Sequence, residues 1–327
     1  MTGQVSPDRD GPVPFRVAFL GPATPLERAM VEEAGGDVVD DVAVADAVHV
    51  TRDPAEAGDA VEQLVGEGRS VVLHGLPQLE PEAATRLAVR AADAGVVVAV
   101  PFVHRYYPMV RLARRRVRSG SPGPMHLLHG WALRESVAAW CDLIEFVTRH
   151  RIERVVTAEV APSRIELGEG APDTPGAMGL LFTTDHGSVG TLAVSHTRPI
   201  EGGTLLFALD GVDEKVVFHE GRPEVLDVIG SRSSQRFQRA VGADVSRYST
   251  LPAGRPQGHR DTWAAYVGDA YAAIRGGAPD GLPTLPDLAR TAALSAAIRE
   301  SEATSAWSRV GTDAAPDLLT TTEGKSA

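Results

Sequence analysis

The first third of the chain alternates short apolar segments with amphipathic segments of helical period. The predicted strands are FRVAFL (15 to 20), DAVHVT (46 to 51), SVVLHG (70 to 75) and GVVVAVPF (95 to 102). The predicted helices between them are PLERAMVEEAG, PAEAGDAVEQLVGEG and PEAATRLAVRAADAG, and all three end at glycine. Because the strand segments are almost continuously apolar, we expect a parallel sheet covered by helices on both faces.

After a basic helix, YYPMVRLARRRVRSG, the pattern changes to successive strands. They are HLLHGWAL (126 to 133), RVVTAEV (154 to 160), AMGLLFTTDHGSVGTLAVSHT (177 to 197), GTLLFALDG with EKVVFH (203 to 219) and EVLDVIG (224 to 230). The turns Asp185-His186-Gly187 and Asp210-Gly211 favour hairpins. Two helical segments follow between Gly258 and about Glu302. The second part of the chain is therefore predicted to be an antiparallel sheet with helices.

The length and composition indicate a globular protein with more than one domain. A chain of 327 residues exceeds the size at which single cores stop growing, about 250 to 300 residues. Its 43% hydrophobic and 23% charged residues are near the globular average, which argues against a disordered, fibrous or membrane protein. The net charge of -11 would repel a phosphate backbone, so we expect no nucleic-acid partner.

The two ends of the chain and its cysteine content bear on where the protein works. Residues 1–14 are rich in proline and charge and are predicted to be a disordered leader, and 311–327 a disordered tail. The leader has no apolar core of the kind that a signal peptide needs, and Cys141 is the only cysteine. We therefore expect a cytoplasmic protein with no membrane partner.

Several strings in a fixed order resemble a known enzyme family. They include HRYYPMVRLARRRVRSGSPGPMHLLHG, CDLIEFVTRHRIERVVTAEV, LLFTTDHGSVGTLAVSHT and GHRDTWAAYVGDAYAAIRGG. From about residue 15 to 310 the chain resembles the Gfo/Idh/MocA oxidoreductases, which have an N-terminal dinucleotide-binding domain and a C-terminal open sheet. The resemblance implies a truncated Rossmann-like parallel sheet domain over 15–118, followed over 119–310 by an open antiparallel sheet domain with helices.

The cofactor that the resemblance implies is NAD or NADP, but the phosphate turn departs from the family pattern. Instead of G-x-G-x-x-G the chain reads Gly21-Pro22-Ala23-Thr24-Pro25, in which two prolines lack the N–H that could bind phosphate. The interval to the next strand has room for one helix and at most one short strand. We therefore expect weakened cofactor binding. The positions implied to lie nearest the cofactor are Gly21, Asp40, Thr51, Gly75 and Pro77.

The family's lysine and histidine are both absent from this chain. A Glu-Lys-Pro string normally follows the strand that here reads VVLHG, but the chain has Leu76 at the lysine position. The family's series of carboxylate, histidine and aspartate aligns with Glu135, Ala139 and Asp142. Neither leucine nor alanine can exchange a proton, so both members of the family's proton-transfer pair are missing.

Other polar and aromatic side chains are left in the expected cleft. The candidate catalytic residues are Glu135, His74, His104 and Tyr107. The candidate substrate-binding residues are Arg105, Trp131, Arg134, Asp142 and His259. Together they favour a small polar ligand held by arginine and histidine between aromatic walls. They also have a structural interpretation, in which a histidine packs at a strand end, the arginine pairs with an acid and the tyrosine starts a helix.

Two other patterns have ordinary explanations. The histidines are dispersed and lack the spacing of a metal site, so we expect no metal. The arginines between residues 111 and 118 are expected to form a solvated helix face, because the protein as a whole is acidic.

Three functions remain open. The first is a divergent family member with weakened or lost nicotinamide redox activity, which acts as a ligand-binding or partner subunit with a cleft for a sugar or cyclitol. The second is an active NAD(P)-dependent dehydrogenase or reductase that acts on a CH–OH group through a non-standard proton donor. The third is a non-redox lyase or isomerase that uses Glu135 and a histidine.

The resemblance also implies a homo-oligomer or hetero-oligomer formed through the second sheet. An antiparallel sheet covered by helices on one face presents its other face to water or to a partner. The apolar positions predicted on that sheet are Leu180, Phe182, Leu192, Val194, Leu206 and Val217.

Overall fold

The computed structural model describes residues 15–160, 176–195, 203–239, 249, 251–252 and 255–311. The predicted leader, and the predicted tail after Gly311, lie outside the described residues. No helix in the described ranges is both long and apolar enough to cross a membrane.

The first sheet is parallel, with the strand order β2-β1-β3-β4-β5. Its strands are β1 (Phe15–Leu20), β2 (Gly36–Val38), β3 (Ala47–Val50), β4 (Val71–Leu73) and β5 (Val98–Ala99). The helices between them are α1 (Pro25–Glu33), α2 (Pro54–Gly66) and α3 (Pro81–Asp93). Each begins at a proline, whose missing N–H has no helical partner at that position in any case.

The second sheet has nine strands in the order β13-β12-β11-β10-β6-β9-β8-β7-β14. The strands are β6 (Met125–Leu133), β7 (Ile152–Val160), β8 (Ala177–Thr184), β9 (Val189–Ser195), β10 (Leu205–Gly211), β11 (Glu214–His219), β12 (Val225–Gly230), β13 (Ser234–Gln238) and β14 (Ser308–Arg309). The helices of this part are α4 (Pro108–Arg118), α5 (Val137–Thr148), α6 (His259–Ile274) and α7 (Leu285–Thr304).

The predicted fold class, a parallel sheet domain followed by an open sheet domain with helices, is confirmed. One detail of the second sheet differs, because β6 pairs with β9 in parallel and the sheet is mixed. β6 is central, with β10 antiparallel on its other side. The pattern also missed β2, β13 and β14, which are short or polar strands without a clear apolar alternation.

The shortening expected between β1 and β3 is confirmed. This interval holds α1, the three-residue strand β2 and a single 3-10 turn at Val42–Val44. The guanidinium of Arg69 donates to the carbonyl oxygens of Ala43 at 2.6 Å and Ala45 at 3.2 Å. Arg69 therefore holds the short connection against the sheet.

Helix α6 belongs to the second half of the sequence but packs on the first sheet. Tyr266 and Tyr271 are completely buried there, in a cluster with Phe15 and Val17 of β1 and with Val31 of α1. Helices α2 and α3 cover the opposite face. Both faces of the parallel sheet are thus covered, as its apolar strands predict, and α6 brings C-terminal residues to the edge of that sheet.

The core of the second domain lies between its sheet and α5. Trp140 of α5 is fully buried and donates from its indole N–H to the carbonyl oxygen of Leu206 at 2.8 Å. A Cβ at Gly130 would lie 2.5 Å from that indole nitrogen, so only glycine fits there. Phe182 packs edge-on against Trp140, with ring centroids 5.9 Å apart.

Gly190 of β9 lies directly against the Phe182 ring. A Cβ at this position would come within 1.9 Å of a ring carbon, so Gly190→Ala must displace a fully buried aromatic side chain. We expect the free energy of unfolding to fall by about 1 to 3 kcal/mol in urea titrations. The matched control is Gly179→Ala in β8, whose new Cβ would meet nothing nearer than 3.9 Å. Equal stabilities of the two variants would contradict the packing argument.

Candidate functional site

The turn after β1 stands where the family pattern has its phosphate turn. Gly21 has φ +119°, and a Cβ there would lie 2.9 Å from the Thr51 hydroxyl oxygen, so the position requires glycine. Thr24 caps α1 by accepting from the Glu27 N–H at 3.2 Å. In return the Glu27 carboxylate accepts from the Thr24 N–H at 2.7 Å and from its hydroxyl at 2.8 Å. The first turn of α1 is therefore capped by a carboxylate of the chain itself.

Glu27 also begins a hydrogen-bonded series that crosses the sheet edge. Its other carboxylate oxygen lies 3.1 Å from His74 Nδ1. His74 Nε2 lies 2.8 Å from His49 Nδ1, and His49 Nε2 lies 2.7 Å from the Tyr271 hydroxyl. The series links α1, β4, β3 and α6 at positions far apart in the sequence.

Burial fixes the protonation of this series. It lowers the pKa of His74, which Glu27 partly opposes, and lowers the pKa of the fully buried His49 well below its ordinary value. Both imidazoles are therefore neutral near pH 7. Burial raises the pKa of Glu27, but the hydrogen bonds from Thr24 and the contact with His74 outweigh it and lower the pKa overall. Glu27 is the charged member.

Two residues of α6 extend the series toward the second sheet. The Trp263 ring stacks on His74, with centroids 5.4 Å apart and planes 29° apart. Its indole N–H donates to His259 Nε2 at 2.9 Å, one helical turn earlier. The His259 ring centroid lies 6.1 Å from that of His104, which stands between β5 and α4. Trp263 and His259 thus bridge two polar groups.

The second polar group is centred on Glu220, just after β11. Its carboxylate pairs with His104 Nε2 at 3.1 Å and accepts from the Tyr107 hydroxyl at 3.2 Å. The N–H and hydroxyl of Thr204 each donate to it at 2.6 Å. Burial raises the pKa of Glu220, but its contact with His104 and the hydrogen bonds from Thr204 lower it to about 2. We call the whole assembly, comprising Glu27, His49, His74, His104, Tyr107, Glu220, His259 and Trp263, the edge cluster.

The residues around the turn do not fit a pyrophosphate. The N–H of Thr24 is bonded to the Glu27 carboxylate, and Pro22 and Pro25 have no N–H to offer. A cavity of about 560 Å³ does lie beside the ends of β1 and β3, lined by Leu20, Asp41 and Arg52 among others. Its lining carries three carboxylates, Asp41, Asp59 and Glu67, and two guanidinium groups, Arg52 and Arg69, so it offers an anionic ligand no excess of positive charge.

The other predicted cofactor positions are scattered along the same edge. Asp40 is exposed just after β2, and Thr51 follows β3 with its hydroxyl buried and without a hydrogen-bond partner in the described chain. Gly75 is partly buried after β4, and Pro77 is buried. The roles assigned to these residues stay predictions.

Arg105 and Asp142 lie together, but outside the edge cluster. The Arg105 guanidinium pairs with both carboxylate oxygens of Asp142 and lies 2.7 Å from Asp287. These ion pairs join α5, α7 and the segment before α4. Arg105 is therefore paired with acids, as expected if its role is structural.

Three more predicted residues are apart from the edge cluster. Glu135 is exposed in the short turn before α5. Arg134 is exposed too and pairs with Glu159 at 3.2 Å and Glu302 at 2.9 Å. Trp131 pairs in register with Leu206 and Ala193, on the sheet face opposite to the one that packs on α5.

Sequence reasoning found His74, His104, Tyr107 and His259 but missed their partners. Glu27 has a signal in Thr24-Pro-Leu-Glu27, the spacing of a capping box. His49 interrupts the apolar strand AVHV, which marks a buried polar side chain. Glu220 and Trp263 have no comparable signal. Within the described residues, no group of three or more His, Cys, Asp or Glu side chains could hold a metal ion.

Comparisons with known proteins support the fold. No protein-family model and no curated protein matches the chain. Among solved structures, an oxidoreductase from Sinorhizobium meliloti superposes with a TM-score of 0.78 at 18% identity, covering 90% of this chain and 99% of that one. Levoglucosan dehydrogenase in complex with NADH and levoglucosan gives 0.75 at 15% identity, covering 91% and 100%. An inositol dehydrogenase homolog complexed with NAD+ from Azotobacter vinelandii gives 0.75 at 14%, covering 94% and 100%.

These similarities extend over nine tenths or more of both chains in each pair. The chain therefore has the fold of these proteins, and the resemblance to the Gfo/Idh/MocA oxidoreductases is confirmed for the fold.

Proposed function

We propose that this protein has an oxidoreductase fold whose nicotinamide redox activity is weakened or lost, and that it binds a small polar molecule at the edge cluster. The observation that carries the proposal is the position of the Glu27 carboxylate. It accepts from the Thr24 N–H at the start of α1, where a pyrophosphate would need free N–H groups. The chain thus supplies its own anion to the place that a cofactor phosphate would take.

The Glu27 carboxylate would also repel the negative charge of a cofactor phosphate. Two like charges about 4 Å apart repel by about 4 kcal/mol at an effective dielectric constant of about 20. A dissociation constant of about 1 mM corresponds to only about 4 kcal/mol of binding. Repulsion of this size is therefore comparable with the whole binding free energy of a weak ligand.

The positions of the family's lysine and histidine are part of an apolar core. Leu76 and Ala139 are partly buried and pack against the same cluster as Phe102 and Leu288. In the described part of the chain the lysine is Lys215, which lies in β11 near His129 and Asp210. A proton donor for hydride transfer would have to come from the edge cluster instead.

The edge cluster has the chemistry to bind a neutral hydroxylated molecule. Its ionised carboxylates, Glu27 and Glu220, disfavour anions and accept hydrogen bonds from hydroxyl groups. His104 Nδ1 is buried and has no hydrogen-bond partner among the described residues, and Trp263 offers an aromatic surface. A sugar or cyclitol meets these requirements.

One observation favours the alternative of an active NAD(P)-dependent dehydrogenase acting on a CH–OH group. A histidine oriented by a carboxylate is the usual arrangement of a general base, and Glu220 orients His104 in this way at 3.1 Å. Tyr107 lies beside the same carboxylate. The lyase or isomerase alternative depends on Glu135, which is exposed and apart from these histidines.

We also propose that the protein assembles through the outer face of its second sheet. Of the predicted apolar positions, Leu180, Phe182, Leu192 and Val194 are buried inside the domain. Leu206 and Val217 are only partly buried. Leu181 of β8 and Val189 of β9, in the same sheet, are 37% and 44% exposed. An apolar face of this kind suits a second copy or a related chain. The cytoplasmic location stays a prediction.

Titration with NADH and NADPH tests the loss of cofactor binding. We expect dissociation constants of ~1 mM or weaker by calorimetry. Glu27→Gln removes the charge at the start of α1 and is expected to bind NADH more tightly than the wild-type protein. Glu32→Gln, at an exposed position of the same helix, is the control and should not change the affinity. Micromolar binding by the wild-type protein would refute the proposal and favour the active dehydrogenase.

A panel of neutral sugars and cyclitols tests the ligand class. We expect at least one to raise the melting temperature, and His104→Gln to weaken its binding about tenfold or more through the lost contact with Glu220. His126→Gln is the control, because His126 is exposed in β6 away from the cluster. Equal affinities of the two variants would place the ligand elsewhere.

Light scattering tests the assembly. We expect the wild-type protein to exceed the 34.5 kDa of one chain, and Leu181→Lys to reduce the mass by placing a charge in the interface. Leu26→Lys is the control, because Leu26 is 51% exposed on α1, far from that sheet face. A wild-type mass of 34.5 kDa that does not rise at higher concentration would refute self-association.

A further inference from the structure

A cavity of about 400 Å³ lies between α4, α5, α7 and the loop that precedes α7. None of the residues of the edge cluster lines it. Its lining contains six arginines, which we call together the arginine cavity: Arg105, Arg114, Arg118, Arg149, Arg151 and Arg290. Such a concentration of positive charge is unexpected in a chain whose net charge is -11.

Carboxylates within the cavity neutralise only some of these arginines. Arg105 is held by Asp142 and Asp287. The Glu145 carboxylate accepts from Arg290 at 2.7 Å and from Arg151 at 2.7 Å. Glu145 therefore holds two guanidinium groups at once.

The remaining arginines are less well compensated. Arg114 and Arg118 share a single carboxylate, Asp280, at 3.0 and 3.8 Å. The side chain of Arg149, at the end of α5, has no carboxylate partner among the described residues. Arg114, Arg118 and Arg149 therefore bring three guanidinium groups to the cavity against the single carboxylate of Asp280 among the described residues.

Arg114 shows most clearly that the compensation is incomplete. Its guanidinium lies 3.9 Å above the Phe146 ring, and its Nε is buried with no hydrogen-bond partner in the described chain. Burial lowers the pKa of Arg114 to about 10, and the charge of Asp280 only partly opposes this. A buried donor without an acceptor is costly, so an acceptor supplied by a ligand would be stabilising.

The loop before α7 closes the cavity on one side. Gly281 has φ +79°, and a Cβ there would lie 2.6 Å from the Phe146 ring and 2.9 Å from an Arg114 nitrogen. The backbone of this loop therefore approaches Arg114 as closely as glycine allows, and the cavity has a defined wall.

We propose that the arginine cavity binds a small oxyanion, either a phosphate monoester or a dicarboxylate. The buried Nε of Arg114 and the guanidinium of Arg149, neither of which has an acceptor among the described carboxylates, would each gain one from such a ligand. Guanidinium groups also present paired N–H donors that fit the oxygens of phosphate and carboxylate groups. The edge cluster, whose charged members are carboxylates, would not compete for such a ligand.

Calorimetry on the full-length protein at low ionic strength tests this site, with inorganic phosphate and malonate as probes. We expect at least one probe to bind with a dissociation constant of about 1 mM or tighter. Preference for phosphate would assign the site to phosphate esters, and preference for malonate to dicarboxylates. Arg149→Gln and Arg114→Gln should each weaken binding about tenfold.

Arg86→Gln is the matched control, because Arg86 is exposed on α3 and outside the cavity. Its affinity should equal that of the wild-type protein. Arg149 is exposed at a helix end, so its variant keeps the test valid if Arg114→Gln fails to fold by circular dichroism. The proposal is overturned if neither probe binds, if Arg149→Gln binds as the wild-type protein does, or if Arg86→Gln loses as much affinity as Arg149→Gln.

Discussion

The packing of α6 against the first sheet holds the candidate site together. Tyr266 and Tyr271 are completely buried there, and the Tyr266 hydroxyl donates to the carbonyl oxygen of Leu73 at 3.1 Å. Buried aromatic side chains remove about 150 to 250 Å² each from water, so this contact helps to join the two halves of the chain. One and two turns before these tyrosines, the same helix presents Trp263 and His259 to the sheet edge. The two polar groups of the edge cluster face each other only because the helix is fixed in this way.

The molecule separates its charges into two regions. At the edge cluster the histidines His49 and His74 are neutral, and the charged groups are the carboxylates of Glu27 and Glu220. The arginine cavity carries the opposite sign and lies between α4, α5 and α7, where Arg105 pairs with Asp142 and Asp287. A neutral molecule and an anion would therefore find different sites on the same chain, and neither site needs the other to be filled.

The sequence predicts local structure better than long-range pairing. β1 has its predicted bounds because its apolar run ends at Gly21, where the following turn requires a glycine. Arg105 was assigned to the cleft, but its partner Asp287 is 182 residues away in the chain. The arginines of α4 are expected to face solvent, and this is wrong for Arg111, Arg114 and Arg116, whose side chains are 13%, 12% and 19% exposed. Arg114 pairs with Asp280, 166 residues later in the chain, and no periodicity within α4 could reveal that contact.

The carboxylate of Glu27 would compete with a phosphate group for the Thr24 N–H, and it is covalently part of the chain. A group joined to its binding partner by a few residues acts at an effective concentration on the order of mM or higher, whatever the composition of the surroundings. Glu27 is three residues from the N–H that it binds, and His74 holds its other oxygen. A free phosphate group would have to displace a ligand that is always present and already fixed in position. Under the proposed function, this competition at the start of α1 is built into the fold and does not depend on what the surroundings contain.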